Sequence, residues 1–275
     1  MSGVLRMLTM LAAAYAVVLG LVFVFQARLV YFPMKGSYSA TPQAYGLAFE
    51  RVTLPTDDGE KLAAWWIPAP APALARGTVL LFHGNAGNIA HRIDYAKMFH
   101  GMGYHTLLVD YRGYGESTGT PSEQGTYRDA TASWIWLTAT RGIKASDIVI
   151  FGESLGGGVA TWLAATHTPR ALILASAFTS IPDLGSEVYP WLPVRWLSRI
   201  HYNNLEHLEK IRAPVLVAHS PGDEIIPFAH GKRLHAAARE PKSFLELRGG
   251  HNEGFVFARE EWVKAVREFL ERIQS

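Results

Sequence analysis

The pentapeptide Gly-Glu-Ser-Leu-Gly at residues 152–156 constrains this chain more than any other feature, because of what surrounds it. The apolar run 148–151 precedes it directly, and the helix-compatible stretch 159–165 follows. In this setting Gly-x-Ser-x-Gly predicts a sharp strand-to-helix turn, a nucleophile elbow, that exposes the Ser154 hydroxyl at the edge of a sheet. The pentapeptide alone also fits an ordinary glycine-rich turn, because a serine needs an adjacent base to react near neutral pH.

Two later residues fit the roles of acid and base. Asp223 ends the segment 214–223, an apolar strand that runs into a Pro-Gly turn, and His251 follows an alternating strand and two glycines. In proteins with a nucleophile elbow, the serine comes first along the chain, the acid second and the histidine third. Open α/β sheets build their sites at the carboxyl ends of strands. We therefore predict that Ser154, Asp223 and His251 form a catalytic triad.

Other residues remain alternatives for two of these roles. Asp223 also fits a plain turn aspartate, and Glu224 beside it is a rival acid. His219 and His83 compete with His251 because each lies at the end of a strand-like segment.

The segment 79–88 is an apolar strand followed by His-Gly-Asn-Ala-Gly-Asn, whose small residues leave backbone N–H groups accessible. We predict that the backbone N–H groups of Asn85 and Leu155 form an oxyanion hole. A phosphate-binding glycine loop is disfavoured, because no Gly-Lys-Ser or Gly-Lys-Thr follows. Asp110 precedes the serine in the chain, so we expect it to hold a turn together with Arg112.

The amino terminus differs from the rest of the chain. About nineteen residues from Met7 to Phe25 carry no charge, which is close to the length that crosses a bilayer as a helix. We predict a transmembrane helix at about 7–25, with a cleaved signal peptide as the alternative. Membrane lipid is then an expected partner, and we expect a single-pass membrane protein. Arg6 before the span balances Arg28 and Lys35 after it, which leaves the side of the membrane open.

Composition is consistent with one large enzyme domain behind this anchor. The chain has 275 residues, of which 49% are hydrophobic and 18% charged. Its formal net charge of +2 is dispersed, so we expect no nucleic-acid partner. Without cysteine it has no disulfide and no thiolate metal site, and we expect neither a metal nor an organic cofactor.

The order of elements predicts a sheet covered on both faces. The stretches 49–54 and 62–66 resemble an antiparallel pair, and from Thr78 onward strands alternate with helices, which favours a parallel sheet. A longer insertion at about 177–212 contains the aromatic and proline-rich stretch 188–197. We expect either a lid that covers the site and lines an apolar acyl pocket or a packed helix pair with ordinary core residues. A lid of this composition would also be suited to contact lipid.

These motifs together resemble those of the α/β-hydrolase superfamily: residues 83–88, 110–117, 152–156, 178–182, 211–216 and 249–252. The chain is similar in particular to the membrane-anchored branch that includes protein depalmitoylases and their bacterial relatives. The resemblance runs from about Leu29 to the carboxyl terminus and implies Ser154, Asp223 and His251 as the triad. It departs from the family pattern at 219–223, where His-Ser-Pro-Gly-Asp replaces the usual His-Gly before the acid.

The resemblance implies an α/β-hydrolase fold: a mostly parallel eight-stranded sheet, helices on both faces, a small lid and one transmembrane helix before the domain. We predict an anchor at 1–27 and a hydrolase domain at 28–275. The expected activity is hydrolysis of esters or thioesters of apolar acyl groups through an acyl-enzyme. Open alternatives are a serine peptidase or amidase and a non-catalytic membrane-anchored scaffold. A haloalkane or epoxide hydrolase would need a carboxylate in place of Ser154.

Overall fold

A computed structural model describes residues 3–273 of the chain. Its first element is helix α1 (Gly3–Val30), which is longer at both ends than the predicted span. An 18-residue window of α1 has a mean hydropathy of 2.5, and none of that window is buried against the protein. By length and composition α1 can cross a membrane.

The strands form one large sheet and one small one. In chain order they are β1 (Phe32–Pro33), β2 (Glu50–Pro55), β3 (Lys61–Ile67), β4 (Thr78–Phe82), β5 (Ala86–Gly87), β6 (His105–Val109), β7 (Ile148–Glu153), β8 (Ala171–Ala175), β9 (Val215–His219) and β10 (Lys242–Glu246). The large sheet has eight strands in the order β10-β9-β8-β7-β4-β6-β3-β2. Strand β3 runs opposite to the other seven strands, so both of its pairings, with β2 and with β6, are antiparallel. The prediction of a mostly parallel eight-stranded sheet is confirmed.

The helices connect and cover these strands. After α1 they are α2 (Ile93–Gly101), α3 (Glu123–Ile135), α4 (Leu155–Thr166), α5 (Ile181–Val188), α6 (Val194–Leu197), α7 (Asn204–Leu208), α8 (Phe228–Ala237) and α9 (Glu260–Arg272). Helix α3 continues into a π-helical turn, Trp136–Thr140. A 3₁₀ turn, Ile89–Arg92, leads directly into α2.

Alternate residues of the central strands supply two separate cores. In β7, Ile148 and Ile150 pack on the face covered by α3 and α4, whereas Val149 and Phe151 pack on the face covered by α2 and α9. Each such side chain stabilises the fold by about 1.5 to 3 kcal/mol. Because both faces are covered, ligands have access to the sheet only at its edges and strand ends, where the predicted site residues lie.

The insertion between β8 and β9 contains α5, α6 and α7. Neither α5 nor α6 contains a fully buried residue, although two apolar side chains of α5 pack against the core. The aromatic side chains that we expected to line a pocket, Tyr189, Trp191 and Trp196, are exposed. The physical reason is their position: this stretch lies beside α1 at the edge of the domain, where Tyr15 donates to the carbonyl oxygen of Trp191.

Candidate active site

Ser154 lies between β7 and α4 in a backbone conformation that residues other than glycine rarely adopt. Its φ is 52° and its ψ is −116°, and such conformations cost of order 1–3 kcal/mol. The backbone N–H of Ser154 donates to Ala175 on the neighbouring strand at 2.9 Å, and its carbonyl accepts from Gly157 at 2.9 Å. These contacts hold the strained turn at the carboxyl edge of the sheet.

The flanking glycines are required by close packing. A Cβ on Gly152 would lie 2.6 Å from the Ala160 side chain, and one on Gly156 would lie 2.6 Å from the carbonyl oxygen of His83. Real Cβ atoms essentially never approach other atoms so closely. The turn therefore has the steric requirements of a nucleophile elbow.

The structure brings the three predicted catalytic side chains together. Nε2 of His251 lies 3.2 Å from Oγ of Ser154, and Nδ1 of His251 lies 2.8 Å from Oδ2 of Asp223. The Asp223 carboxyl is fully buried and the His251 ring is one-tenth exposed. Since Nδ1 donates to the carboxylate, Nε2 is free to accept the serine proton.

The Asp223 carboxylate is also held by its own backbone. Its Oδ1 accepts from the N–H groups of Ile225 at 3.0 Å and Ile226 at 2.7 Å. Burial by itself would raise the pKa of Asp223, but hydrogen bonds from His251 and from Ile226, together with nearby imidazoles, hold that pKa below its usual value. Asp223 is therefore ionised near neutral pH, as the orienting acid of a triad must be.

The rival residues lie close by but make other contacts. Glu224 accepts from the backbone N–H of His251 at 2.9 Å through Oε2, and the His251 ring instead contacts Asp223. His219 Nε2 donates to the carbonyl of Ile226 at 2.9 Å and lies 3.5 Å from Asp223 Oδ2. Burial lowers the pKa of His219, which keeps it neutral. His219 thus supports the acid loop from behind, a role that we did not predict.

Both predicted oxyanion donors lie close to the serine. Leu155 follows Ser154 in the chain, and Gly84, the residue before Asn85, is close enough that an ideal Cβ on it would lie 3.6 Å from Ser154 Cβ. Within residues 3–273, neither the N–H of Asn85 nor that of Leu155 donates a hydrogen bond to the protein, which leaves both available to a ligand. Leu155 opens α4, where backbone N–H groups have no intrahelical partner. Asn85 lies in the loop 84–88, called here the oxyanion loop.

The oxyanion loop is held by the residues that directly follow α1. Strand β1 pairs with β5, and Phe32 N–H donates to Asn85 O at 2.9 Å. The Asn85 side-chain amide donates to Val30 O at 3.0 Å, and the Tyr114 hydroxyl donates to Asn85 O at 2.7 Å. Sequence reasoning missed this clamp, since its members lie about 30 to 55 residues apart.

A buried ion pair adjoins the elbow and was also missed. The Arg92 guanidinium lies 2.7 Å from Oε1 of Glu153, the residue before the serine, and both side chains are largely buried. A charged pair in this position fixes the elbow from the side of the oxyanion loop, because both partners also approach Gly84.

The segment 110–117 makes the structural contacts that we expected. Asp110 accepts from Ile89 N–H at 2.9 Å and from the Tyr38 hydroxyl at 2.8 Å. Arg112 donates to the carboxylates of Asp58 and Asp129. His83 is buried 3.3 Å from Asp110, away from the triad. Across residues 3–273 no group of three His, Cys, Asp or Glu side chains is arranged to hold a metal ion.

Comparisons with known proteins agree with this architecture. The sequence profile of the α/β hydrolase fold family matches residues 77–224. An uncharacterized protein of Mycobacterium tuberculosis is 40% identical over 246 residues, which cover 89% of this chain and 87% of that protein. Lysophosphatidylserine lipase ABHD12 of Macaca fascicularis is 32% identical over 246 residues, which cover 76% of this chain and 61% of the lipase.

A solved structure gives the same fold. The Pyrococcus furiosus esterase Pf2001 superposes with a TM-score of 0.72 at 21% identity, covering 90% of this chain and 98% of the esterase. Fold and strand-end site together define an α/β hydrolase. The family profile spans more than half of the chain, and the chain therefore belongs to the α/β-hydrolase fold family.

Proposed function

We propose that this protein is a serine hydrolase that cleaves ester or thioester bonds of apolar acyl substrates through Ser154, His251 and Asp223. The observation that carries the proposal is the continuous chain of contacts from Ser154 Oγ to His251 Nε2, and from His251 Nδ1 to Asp223 Oδ2, at 3.2 and 2.8 Å. These distances lie within or close to hydrogen-bond range, which is what proton transfer during catalysis needs.

In the proposed first half-reaction, Oγ of Ser154 attacks the acyl carbon while its proton passes to Nε2 of His251. Asp223 keeps Nδ1 protonated and stabilises the imidazolium. The N–H groups of Asn85 and Leu155 bind the negative oxygen of the tetrahedral intermediate, and one such donor is worth about 2.7–4 kcal/mol. The intermediate collapses, and the leaving alkoxide or thiolate takes the proton from Nε2.

In the second half-reaction a water molecule attacks the acyl-enzyme and gives its proton to the same Nε2. Collapse of the second intermediate releases the fatty acid and returns the proton to Oγ of Ser154. Every step uses only groups of the chain, the substrate and water.

The substrate class rests on the anchor and on one relative. Helix α1 would hold the domain at a membrane as a single-pass anchor at 1–27, with the hydrolase domain at 28–275 and its lid at about 177–212. A lipase that acts on a lysophospholipid is among the relatives, by its name. We propose lipid-like acyl esters as substrates, with the membrane lipid as a second partner through α1.

The test is hydrolysis of p-nitrophenyl esters of increasing chain length by the full-length protein in detergent, beside Ser154→Ala. The proposal predicts turnover with an optimum at a medium or long chain. It also predicts that Ser154→Ala lowers kcat by on the order of 10⁶. Equal rates for the two proteins would contradict it, and turnover of an anilide as fast as the matched ester would favour the peptidase alternative.

A further inference from the structure

The insertion carries an unusual concentration of exposed apolar side chains, called here the lid rim: Val188, Tyr189, Trp191 and Trp196. Among described residues after Met34, eight large apolar side chains are exposed, and half of them lie between 188 and 196. Trp196 is 91% exposed. Contiguous apolar surface of this kind indicates an interaction site, whereas single exposed residues elsewhere need no explanation.

The lid rim is attached to the side of α1. The Tyr15 hydroxyl donates to Trp191 O at 2.7 Å, midway along the predicted span. Farther down the helix, Gln26 Nε2 donates to Leu197 O at 3.3 Å, and Gln26 Oε1 accepts from the backbone N–H of Arg199 at 2.6 Å. The contacts from Tyr15 to Gln26 cover eleven residues, or about 17 Å of helix at 1.5 Å per residue.

This attachment fixes the depth of the lid rim once α1 crosses a bilayer. Tyr15 lies ten residues before Phe25, the end of the uncharged run, which is about 15 Å along the helix axis. The hydrocarbon core is about 30 Å thick. A segment bonded to Tyr15 therefore lies within the leaflet next to the hydrolase domain, where water does not cover it.

Several polar groups where α1 meets the lid have partners within the protein, and the exposed Arg195 side chain is paired with Asp183 at 2.8 Å. Backbone in a bilayer must have its polar groups satisfied by protein. The carbonyls of Trp191 and Leu197 accept from anchor side chains, which also explains a glutamine near the end of an apolar helix. Arg199 lies with its guanidinium 4.7 Å over the Phe23 ring and 3.1 Å from Phe23 O, so its charge is partnered at the headgroup level.

The lid also joins the domain beside the nucleophile. It leaves the sheet after Ala175, whose carbonyl accepts from Ser154 N–H, and it returns past Tyr202, which packs against Gly158 of α4. The lid therefore bridges the elbow and the anchor.

From these observations we infer that the lid rim inserts into the same leaflet as α1. The lid is thus a second membrane contact beside the one that α1 makes. This inference rests on the proposed anchor and on the proposed hydrolase function, and it commits to lipid acyl chains as the occupant of the lid surface.

The absence of cysteine from the chain makes a direct test possible. Single cysteines replace Trp196 (Trp196→Cys), Val17 in the anchor (Val17→Cys) and Leu74 on a distant loop (Leu74→Cys), all exposed in the structure. Each full-length variant is labelled with the environment-sensitive dye NBD and reconstituted in vesicles of phosphatidylcholine and phosphatidylglycerol. Quenching by a nitroxide on the lipid chain is compared with quenching by aqueous iodide.

The inference predicts that the label at residue 196 is quenched by the lipid nitroxide as strongly as the label at 17, with a blue-shifted emission, while the label at 74 responds only to iodide. If the label at residue 17 is quenched by the lipid nitroxide but the label at residue 196 responds only to iodide, like the label at residue 74, the inference is overturned and the proposed anchor is retained. A label at 17 that is open to iodide overturns both. Reaction of each variant with a fluorophosphonate probe reports the serine hydrolase separately, so its failure is distinguishable from either result.

Discussion

The nucleophile elbow and the oxyanion loop lie side by side, but different kinds of contact hold them. The elbow is fixed by neighbours in the sheet and in α4, where Gly152 and Gly156 leave no space for a side chain. The oxyanion loop is fixed by residues 30–34, which emerge directly from α1, and by Tyr114.

This difference separates two functions of the site. Changes at the elbow act on the nucleophile and on the core beneath it. In the proposed mechanism, changes at the segment that follows α1 act on an oxyanion donor, because that segment holds Asn85 in place. Helix α1 is therefore joined directly to the oxyanion loop, whereas it is connected to the serine turn only through the lid.

The largest expected effect is on the acid that orients His251, which both parts of the site require. Asp223→Asn favours the wrong imidazole tautomer and should lower kcat by on the order of 10⁴. Glu224→Gln is the matched control, since Glu224 contacts only the backbone N–H of His251 and not its ring. The rates of ester hydrolysis by the two variants are compared. If Glu224→Gln is the slower enzyme, Glu224 and not Asp223 is the acid that orients His251.

The second prediction concerns the packing of the elbow. Gly156→Ala places a methyl group against the carbonyl oxygen of His83, and overpacking of this kind costs about 1–3 kcal/mol, occasionally more. We expect a lower free energy of unfolding in urea together with lower activity. In Gly101→Ala, where a Cβ meets nothing within 4 Å, stability should change little. Equal stabilities for the two variants would show that the elbow is not tightly packed.

A smaller effect tests the clamp on the oxyanion loop. Tyr114→Phe removes only the hydroxyl that donates to Asn85 O, a contact worth about 0.5–1.5 kcal/mol. We expect kcat to fall by up to about 10-fold with a smaller change in KM, because the loop acts on the transition state. Tyr45→Phe makes the same chemical change at an exposed ring and should leave both constants unchanged. A pure KM effect would place Tyr114 in substrate binding instead.

The smallest effect concerns His219 behind the acid loop. Burial lowers its pKa below the usual 6.5. As the pH falls below 6.5, the unfolded chain is therefore protonated at this histidine before the folded chain is. This contribution to stability is present above pH 6.5 and is lost as the pH falls, by at most about 1.4 kcal/mol per pH unit. Asp223, whose pKa is lowered from 3.8, acts only at lower pH.

The measurement is the free energy of unfolding in urea at pH 7.5 and pH 5.5. His219→Gln should reduce the difference between the two values, and His201→Gln, at an exposed position, controls for the substitution. An unchanged pH dependence in His219→Gln would mean that this histidine protonates freely in the folded protein.

Much of the fold was predictable because its signals are local. The alternation of apolar strands and helices gave the parallel sheet, and the glycines around Ser154 gave the turn after β7. The candidate site followed from the same logic, since Asp223 and His251 each lie just past the end of a strand. The structure brings these residues together, and their catalytic roles remain predictions.

The remaining contacts have no local signal in the sequence. Three such contacts join residues 54 to 176 positions apart: the pairing of β1 with β5, the Arg92–Glu153 ion pair and the Tyr15–Trp191 contact. None of them follows a helical or strand period, so only the assembled fold could reveal them. The exposure of the lid aromatic residues has no local signal for the same reason, because they lie beside a helix at the other end of the chain.

The most direct test of the central claim is to find where a fluorophosphonate probe attaches. The full-length protein in detergent is reacted with the probe, digested and examined by tandem mass spectrometry, beside Ser154→Ala and an untreated sample. We predict one modified peptide, with the label on Ser154, and none from the folded Ser154→Ala protein. A folded wild-type protein that carries no label, or carries it on another serine, would contradict the assignment of Ser154 as the nucleophile.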